Sequence, residues 1–176
     1  MEAVYLILLI IFIPMAYAAV IGAPTLPSRR KNVREALRQA GVTEGTRFFE
    51  LGTGGGGVSK KALKMGAEVT GYELSPVAFI WSFVNLSTTK KPFKLKAKNF
   101  FKEDLSRAEV IYVFLMPDPL KKLKKKLEKE TAPGTKIISY AFPIPDWTPI
   151  REISEKGSPT IYVYEVCEKR EKREER

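Results

Sequence analysis

Residues 46–59 read Thr-Arg-Phe-Phe-Glu-Leu-Gly-Thr-Gly-Gly-Gly-Gly-Val-Ser. An apolar strand over Arg47 to Leu51 carries an acid at Glu50, runs into a turn that is almost all glycine, and continues as a helix beginning near Ser59. Glycine has no Cβ and tolerates positive φ, so a ligand can lie directly on such a backbone. Strand, glycine turn and helix N-terminus together form the nucleotide-side corner of an α/β fold.

Downstream, the same alternation repeats. Ala67 to Glu73 reads as a second strand that also ends in an acid, and Ser75-Pro76 opens a helix with proline in its first turn. That helix runs through Val77, Phe79, Ile80, Trp81, Val84 and Leu86. Lys94 to Lys98 is a short third strand, followed by a loop from Asn99 to Leu105. Glu109 to Leu115 is near-continuously apolar, as a central parallel strand should be. Leu120, Leu123 and Leu127 pace the next helix, and Lys136 to Phe142 is a fifth strand. Two strand-like runs, Ile150 to Ser154 and Thr160 to Cys167, flank Gly157-Ser158-Pro159 and read as a hairpin. Strand–helix alternation with short turns specifies a mostly parallel sheet, here closed by an antiparallel pair.

Upstream, Ala3 to Ala23 carries no charge and is long enough, at ~1.5 Å per residue, to span the hydrocarbon core of a bilayer. Ala16-Tyr17-Ala18 resembles a signal-peptide cleavage site, but Met1-Glu2 supplies no basic n-region. The positive charges follow the segment, at Arg29, Arg30, Lys31 and Arg34, which places the remainder of the chain on the cytoplasmic side. The expected organisation is a retained single-pass anchor over 1–23, a proline-stiffened linker over 24–28, a catalytic domain over 29–167 and a charged tail over 168–176. Ser28 is the expected cap of a helix from Arg29 to Ala40.

The chain has 30 Lys+Arg against 20 Asp+Glu, a formal charge of +10. Such an excess suits an anionic membrane surface, nucleic acid or an acidic protein, and equally a solvated helix face such as the lysine run at 121–126. Histidine is absent and Cys167 is the only cysteine. That excludes a histidine base, a Ser-His-Asp triad and a His-containing zinc site. No metal is expected.

The glycine turn satisfies two patterns. Gly52, Gly54 and Gly57 fit the dinucleotide form G-x-G-x-x-G; Glu50, Gly52, Gly54 and Gly56 fit acid-x-G-x-G-x-G, the turn used for S-adenosylmethionine. A carboxylate at the entrance suits a ligand bearing an ammonium and a sulfonium better than a pyrophosphate. Glu73 suits a ribose in either reading. The antiparallel ending, in place of a second nucleotide-binding half, also favours S-adenosylmethionine.

On these residues the chain resembles class I S-adenosylmethionine-dependent methyltransferases, through Glu50 to Gly56, Gly71 to Pro76 and Asn99 to Ser106. The segment Tyr140 to Pro149, together with the apolar N-terminus and Pro24-Thr25-Leu26-Pro27, is similar to the membrane-anchored protein lysine methyltransferases that act on the c-subunit of ATP synthase and the adenine nucleotide translocase. The resemblance implies a Rossmann-like seven-stranded sheet and S-adenosyl-L-methionine as cofactor. It implies that Glu50, Gly52, Thr53, Gly54 and Gly56 hold the methionine end. Glu73 would bind the ribose, Leu74 would lie against adenine, and Asn99 with the Phe100 backbone would read its edge. Those enzymes carry Asp-Gly-Arg where this chain has Gly55-Gly56-Gly57. Candidates on the acceptor side are Met116, Pro117, Asp118, Tyr140, Phe142 and Trp147, with Asp118, Tyr140 and Trp147 as the catalytic set. The alternative readings of Tyr140 and Trp147 as core and of Asp118 as a helix cap stand beside this one. The expected activity is methylation of a protein lysine at the membrane, without nucleic acid as partner. A lipid or small-molecule acceptor, a non-catalytic cofactor-binding scaffold and a nicotinamide-dependent oxidoreductase are the competing functions.

Overall fold

The computed structural model describes residues 4–5 and 30–167. The anchor and linker expected before residue 29 lie outside the described residues except for Val4 and Tyr5, which are helical and exposed, and so does the tail from residue 168. Among the described residues, no helix is long and apolar enough to cross a membrane.

Helix α1 (Arg30–Gln39) leads into strand β1 (Arg47–Leu51), helix α2 (Gly57–Lys64), β2 (Glu68–Tyr72), α3 (Pro76–Ser87) and β3 (Phe93–Lys96). A single 3-10 turn, Phe100–Lys102, precedes β4 (Val110–Val113), α4 (Pro117–Glu130), β5 (Lys136–Tyr140), β6 (Arg151–Ile153) and β7 (Ile161–Glu165). The sheet order is β3-β2-β1-β4-β5-β7-β6. Strands β1 to β5 are mutually parallel, β7 lies antiparallel to β5, and β6 pairs antiparallel with β7. Chain order reverses between β1 and β4, so a crevice opens at their C-terminal ends, the usual ligand position in an open parallel sheet.

Alternation along each strand feeds two cores. Phe48, Val69, Val110, Tyr112, Ile138 and Val163 join Val33, Leu37 and Leu63 on one face. Ile111, Val113, Ile137 and Tyr164 join Leu120, Leu123 and Leu127 on the other. The three leucines of α4 are fully buried, each contributing roughly 1.5–3 kcal/mol of transfer free energy. Two of the lysines between them are largely covered and find acids: Lys124 reaches Asp146 at 2.9 Å and Lys126 reaches Glu130 at 2.6 Å.

Helix α3 buries only Ser82 and Leu86 and leaves Val77, Ile80, Trp81, Phe83 and Val84 exposed. The helix is apolar on nearly every side, so its sequence cannot declare which face turns inward. Strand β5 ends earlier than its apolar run suggests, because Ala141 takes φ 71° and breaks the extended geometry.

Candidate active site

The glycine turn sits at the crevice and takes one of the two forms its sequence allows. Gly52, Gly54 and Gly56 have φ of 90°, 50° and 71°; Gly57 is the first residue of α2 and is not left-handed. A Cβ on Gly56 would lie 2.8 Å from Ser82 Oγ and 3.3 Å from the Ser82 backbone, whereas a Cβ on Gly57 would meet nothing within 4 Å. The close approach between turn and helix is therefore made at Gly56, as acid-x-G-x-G-x-G requires. The third glycine of a dinucleotide fingerprint, placed to let helix and strand pack, has no such duty here.

Glu50 is buried beneath the turn, 2 % exposed, at the N-terminus of α2. Its Oε2 accepts the Ser59 backbone N–H at 2.8 Å and a short bond from the Ser59 hydroxyl. It thus does for α2 what a local cap does elsewhere; Gly56 supplies no side chain for that purpose. Burial raises the Glu50 carboxyl to about 8 despite the opposing Ser59 bonds, and the nearby Glu73 charge pushes in the same direction. A cation arriving beside it would favour the ionised form.

Glu73 follows β2 and is 8 % exposed. Oε2 accepts the Gly54 N–H at 2.7 Å and Oε1 accepts the Ser75 N–H at 2.8 Å. Each carboxylate oxygen keeps a lone pair for a further donor such as a ribose hydroxyl. The Gly52 and Thr53 N–H groups both donate to the Tyr72 carbonyl at 3.0 Å, holding the turn on the end of β2. Gly71 permits this: a Cβ there would lie 2.4 Å from Thr53 Cγ2. Thr53 Oγ1 is buried with no hydrogen-bond partner among the described residues, and the space beside Gly54 is open within 4 Å. An unsatisfied buried hydroxyl beside an open glycine, between two buried acids, fits a polar, cationic, ribose-bearing ligand.

Leu74 is half-buried directly after Glu73. Beyond β3, Asn99 Oδ1 accepts the Phe101 N–H at 3.0 Å and caps the 3-10 turn that sinks Phe100 into the core. Glu50, the glycine turn, Glu73, Leu74, Asn99 and Phe100 all follow or end β1, β2 and β3 on one edge of the sheet.

The acceptor-side residues divide. Tyr140 ends β5 on this edge and packs edge-on against Phe114 at 4.9 Å, with Met116 exposed just beyond β4. Asp118 is also on this edge, but its side chain is 91 % exposed and paired with Lys121 at 3.3 Å in the first turn of α4. Trp147 is not brought to the site. Its Nε1 donates to Glu128 in the last turn of α4 at 3.1 Å, and its ring packs on Tyr164, the partner of Ile137 near the start of β5. That is the opposite end of the sheet. Phe142 lies between, its carbonyl accepting from Ser139 Oγ at 2.6 Å.

Sequence reasoning missed the supports. Asn85 of α3 donates to the Gly55 carbonyl at 2.8 Å and accepts from Lys60 Nζ at 2.7 Å, bracing the turn from outside. No local pattern marks a contact across thirty residues. Ser59 could have been found, as a polar residue in the first turn of a helix whose cap position is glycine.

The family model for the ANTKMT methyltransferase domain matches residues 50–151. The chain is 33% identical over 153 residues to a protein-lysine N-methyltransferase of Saccharolobus islandicus, covering 82% of this chain and 94% of that one. It is 28% identical to the ATP synthase c-subunit lysine N-methyltransferase of Mus musculus over 84% of this chain, and spans 60% of that enzyme's length. Among solved structures, an RNA methyltransferase from Salinibacter ruber in complex with S-adenosyl-L-homocysteine aligns with a TM-score of 0.79 at 26% identity, covering 84% of this chain and 97% of that one. The acid-led form of the glycine turn and these matches agree, and the chain belongs to the ANTKMT methyltransferase domain family, as an enzyme whose methyl donor is S-adenosyl-L-methionine.

Proposed function

We propose that this chain is a protein-lysine N-methyltransferase held at a membrane by its N-terminal apolar segment, with the catalytic domain on the cytoplasmic side. The observation that carries the acceptor class is the match to the Saccharolobus islandicus protein-lysine N-methyltransferase over nearly the whole of that protein. The tether rests on the uncharged stretch from Ala3 to Ala23 and the basic residues that follow it.

S-adenosyl-L-methionine supplies a sulfonium-activated methyl group for in-line displacement, so alignment and desolvation are what the protein adds. Glu73, fixed by the Gly54 and Ser75 N–H groups, accepts the ribose hydroxyls. Glu50, buried below the turn with its carboxyl raised to about 8, would ionise on meeting the cationic end. Leu74, half-buried beside Glu73, would lie against the adenine, with the Asn99 and Phe100 backbone at its edge. The acceptor lysine must shed its proton, and from a free pKa of about 10.4 a fall of roughly three units costs about 4 kcal/mol. Phe114 and Tyr140 offer apolar and aromatic surface that would become low-dielectric once a substrate covers the rim, and their rings suit a methylated ammonium. Asp118, open to water and paired with Lys121, is placed to support the start of α4. With its pKa lowered, the lysine ammonium can give its proton to bulk water before the neutral amine takes the methyl group.

A tethered enzyme meets targets in the same membrane at raised effective concentration. Incubation of source membranes with isotopically labelled S-adenosyl-L-methionine, followed by mass spectrometry, should place the label on a lysine Nε of a protein. Label on lipid or RNA and on no protein would overturn the lysine reading. A protease-protection assay that finds the C-terminal domain on the far side of the membrane would overturn the topology.

A further inference from the structure

Helices α3 and α4 treat their outward faces in opposite ways. Three of the six lysines of α4, Lys121, Lys124 and Lys126, are paired with Asp118, Glu128, Glu130 and Asp146, and its leucines are all inside. α3 shows water Val77, Ile80, Trp81 and Val84, at 49%, 64%, 68% and 56% exposure. The spacing i, i+3, i+4, i+7 makes them one stripe along the helix. A stripe of this kind on a soluble monomer is unusual and marks a contact surface.

The charge around the stripe indicates what it contacts. From Leu74 to Lys102 there is no acidic residue, while lysines stand at 90, 91, 94, 96, 98 and 102. Lys96 and Lys98 are paired with Glu103. Lys90, Lys91 and Lys94 are exposed and have no acidic partner among the described residues. Between α3 and β3 runs an open groove of about 660 Å³ with Phe79, Phe83, Phe93 and Leu95 along it and Lys91 and Lys94 among its lining. An apolar stripe with a tryptophan, bordered by unpaired lysines, is the pattern of a helix lying in the interface of an anionic bilayer. A second copy of the chain packed on the same stripe would bring lysine against lysine.

Connectivity agrees. α1 packs on α2, and α2 packs on α3, so the chain that precedes Arg30 leads into the helical layer that contains the stripe. The five residues expected as linker, 24–28, can reach at most roughly 18 Å, which would keep the end of a membrane-embedded segment close to that layer.

We infer that the outward face of α3, together with Lys90, Lys91 and Lys94, is a second membrane contact that lies in the headgroup region of an anionic phospholipid bilayer. The inference builds on the tether proposed above and adds an orientation to it. α3 also braces the cofactor turn: Asn85 holds the Gly55 carbonyl, and a Cβ on Gly55 would lie 3.4 Å from the Trp81 indole. The helix that meets lipid therefore covers the glycine turn, and the active edge is held at the depth where loops of membrane proteins emerge.

The test uses the full chain with the substitution Trp147→Phe, which leaves Trp81 as the sole tryptophan. The protein is incorporated into vesicles of phosphatidylcholine and phosphatidylglycerol, with and without brominated acyl chains. Flotation reports the tether and Trp81 fluorescence reports α3. The expected result is a blue-shifted emission that brominated lipid roughly halves, with the quenching diminished by Lys91→Glu plus Lys94→Glu and abolished by Ile80→Glu plus Val84→Glu. Protein that floats with Trp81 open to acrylamide and insensitive to brominated lipid would overturn the inference while leaving the tether in place. Protein that does not float at all would overturn the tether and the inference with it. Equal quenching in vesicles of phosphatidylcholine alone would overturn the anionic requirement. Trp81 shielded in lipid-free detergent as protein concentration rises would identify a second copy as the occupant.

Discussion

The cofactor corner and the acceptor rim share one edge of the sheet, and they are built in contrasting ways. The corner is closed and over-determined. Glu50 and Glu73 are nearly inaccessible, both carboxylates are fixed by backbone N–H groups, and the turn is held by Tyr72 and Asn85 and lies close against Ser82 at Gly56. The rim is open. Met116 and Asp118 face water, Phe114 is only half-buried, and beyond Tyr140 the chain turns through a left-handed alanine. The contrast follows the chemistry. One partner of the reaction is a small molecule of fixed shape and the other is a side chain on a larger surface, so rigidity belongs on the first side and access on the second.

Substitutions should therefore act strongly at the corner and weakly at the rim. Glu73→Ala removes the ribose acceptor and strands the Gly54 and Ser75 N–H groups; with charged hydrogen bonds at about 1.5–3 kcal/mol each, cofactor affinity should fall by roughly 100-fold or more, read as loss of the thermal shift given by S-adenosyl-L-methionine. Gly56→Val places a branched side chain at φ 71° against the Ser82 backbone, and should cost about 2–3 kcal/mol in a urea denaturation. A stability loss under ~0.5 kcal/mol there would break the claim that the corner is over-determined.

Glu50 sharpens the comparison through pH. Its folded carboxyl titrates at about 8 against an unfolded value of 4.5. Between those values the folded state holds a proton that the unfolded state has lost, so cofactor-free stability must fall as pH rises from 4.5 to 8. Glu50→Gln should flatten that slope in thermal melts; an unchanged slope would remove Glu50 as its source. Cofactor binding, which favours the ionised form, should release protons in wild type and not in Glu50→Gln.

At the rim, Ala141→Gly relieves a left-handed alanine and should stabilise the fold by about 0.5–1 kcal/mol while leaving cofactor affinity alone. The smallest effect is expected from Asp118→Asn: an exposed pair of this type is worth under ~1 kcal/mol, and kcat should change by less than about twofold. A large, pH-dependent loss of kcat would give Asp118 the role of base and reverse the contrast.

The sheet and the corner are legible in the sequence because their signals are local. Glycines, strand-ending acids and the Ser75-Pro76 cap act within a few residues of where they stand, and the alternation of strands and helices is a count along the chain. What is not legible depends on distance. Trp147 sits next to the fifth strand in sequence, yet residues 141–150 return along the sheet to the far end of α4, where Glu128 holds the indole. The inward face of α3 escapes a pattern reading because apolar residues on every side erase the periodicity that distinguishes core from surface. Asn85 braces the turn from thirty residues away, and Ala141 breaks its strand without a glycine or proline to announce it.

The most direct test of the central claim is calorimetric titration of the purified protein with S-adenosyl-L-methionine and, separately, with NAD. The acid-led turn, closed at Gly56 and floored by Glu50, predicts one S-adenosyl-L-methionine per chain, no heat from NAD, and proton release that disappears in Glu50→Gln. Binding of NAD in preference, or no binding of S-adenosyl-L-methionine, would contradict the account.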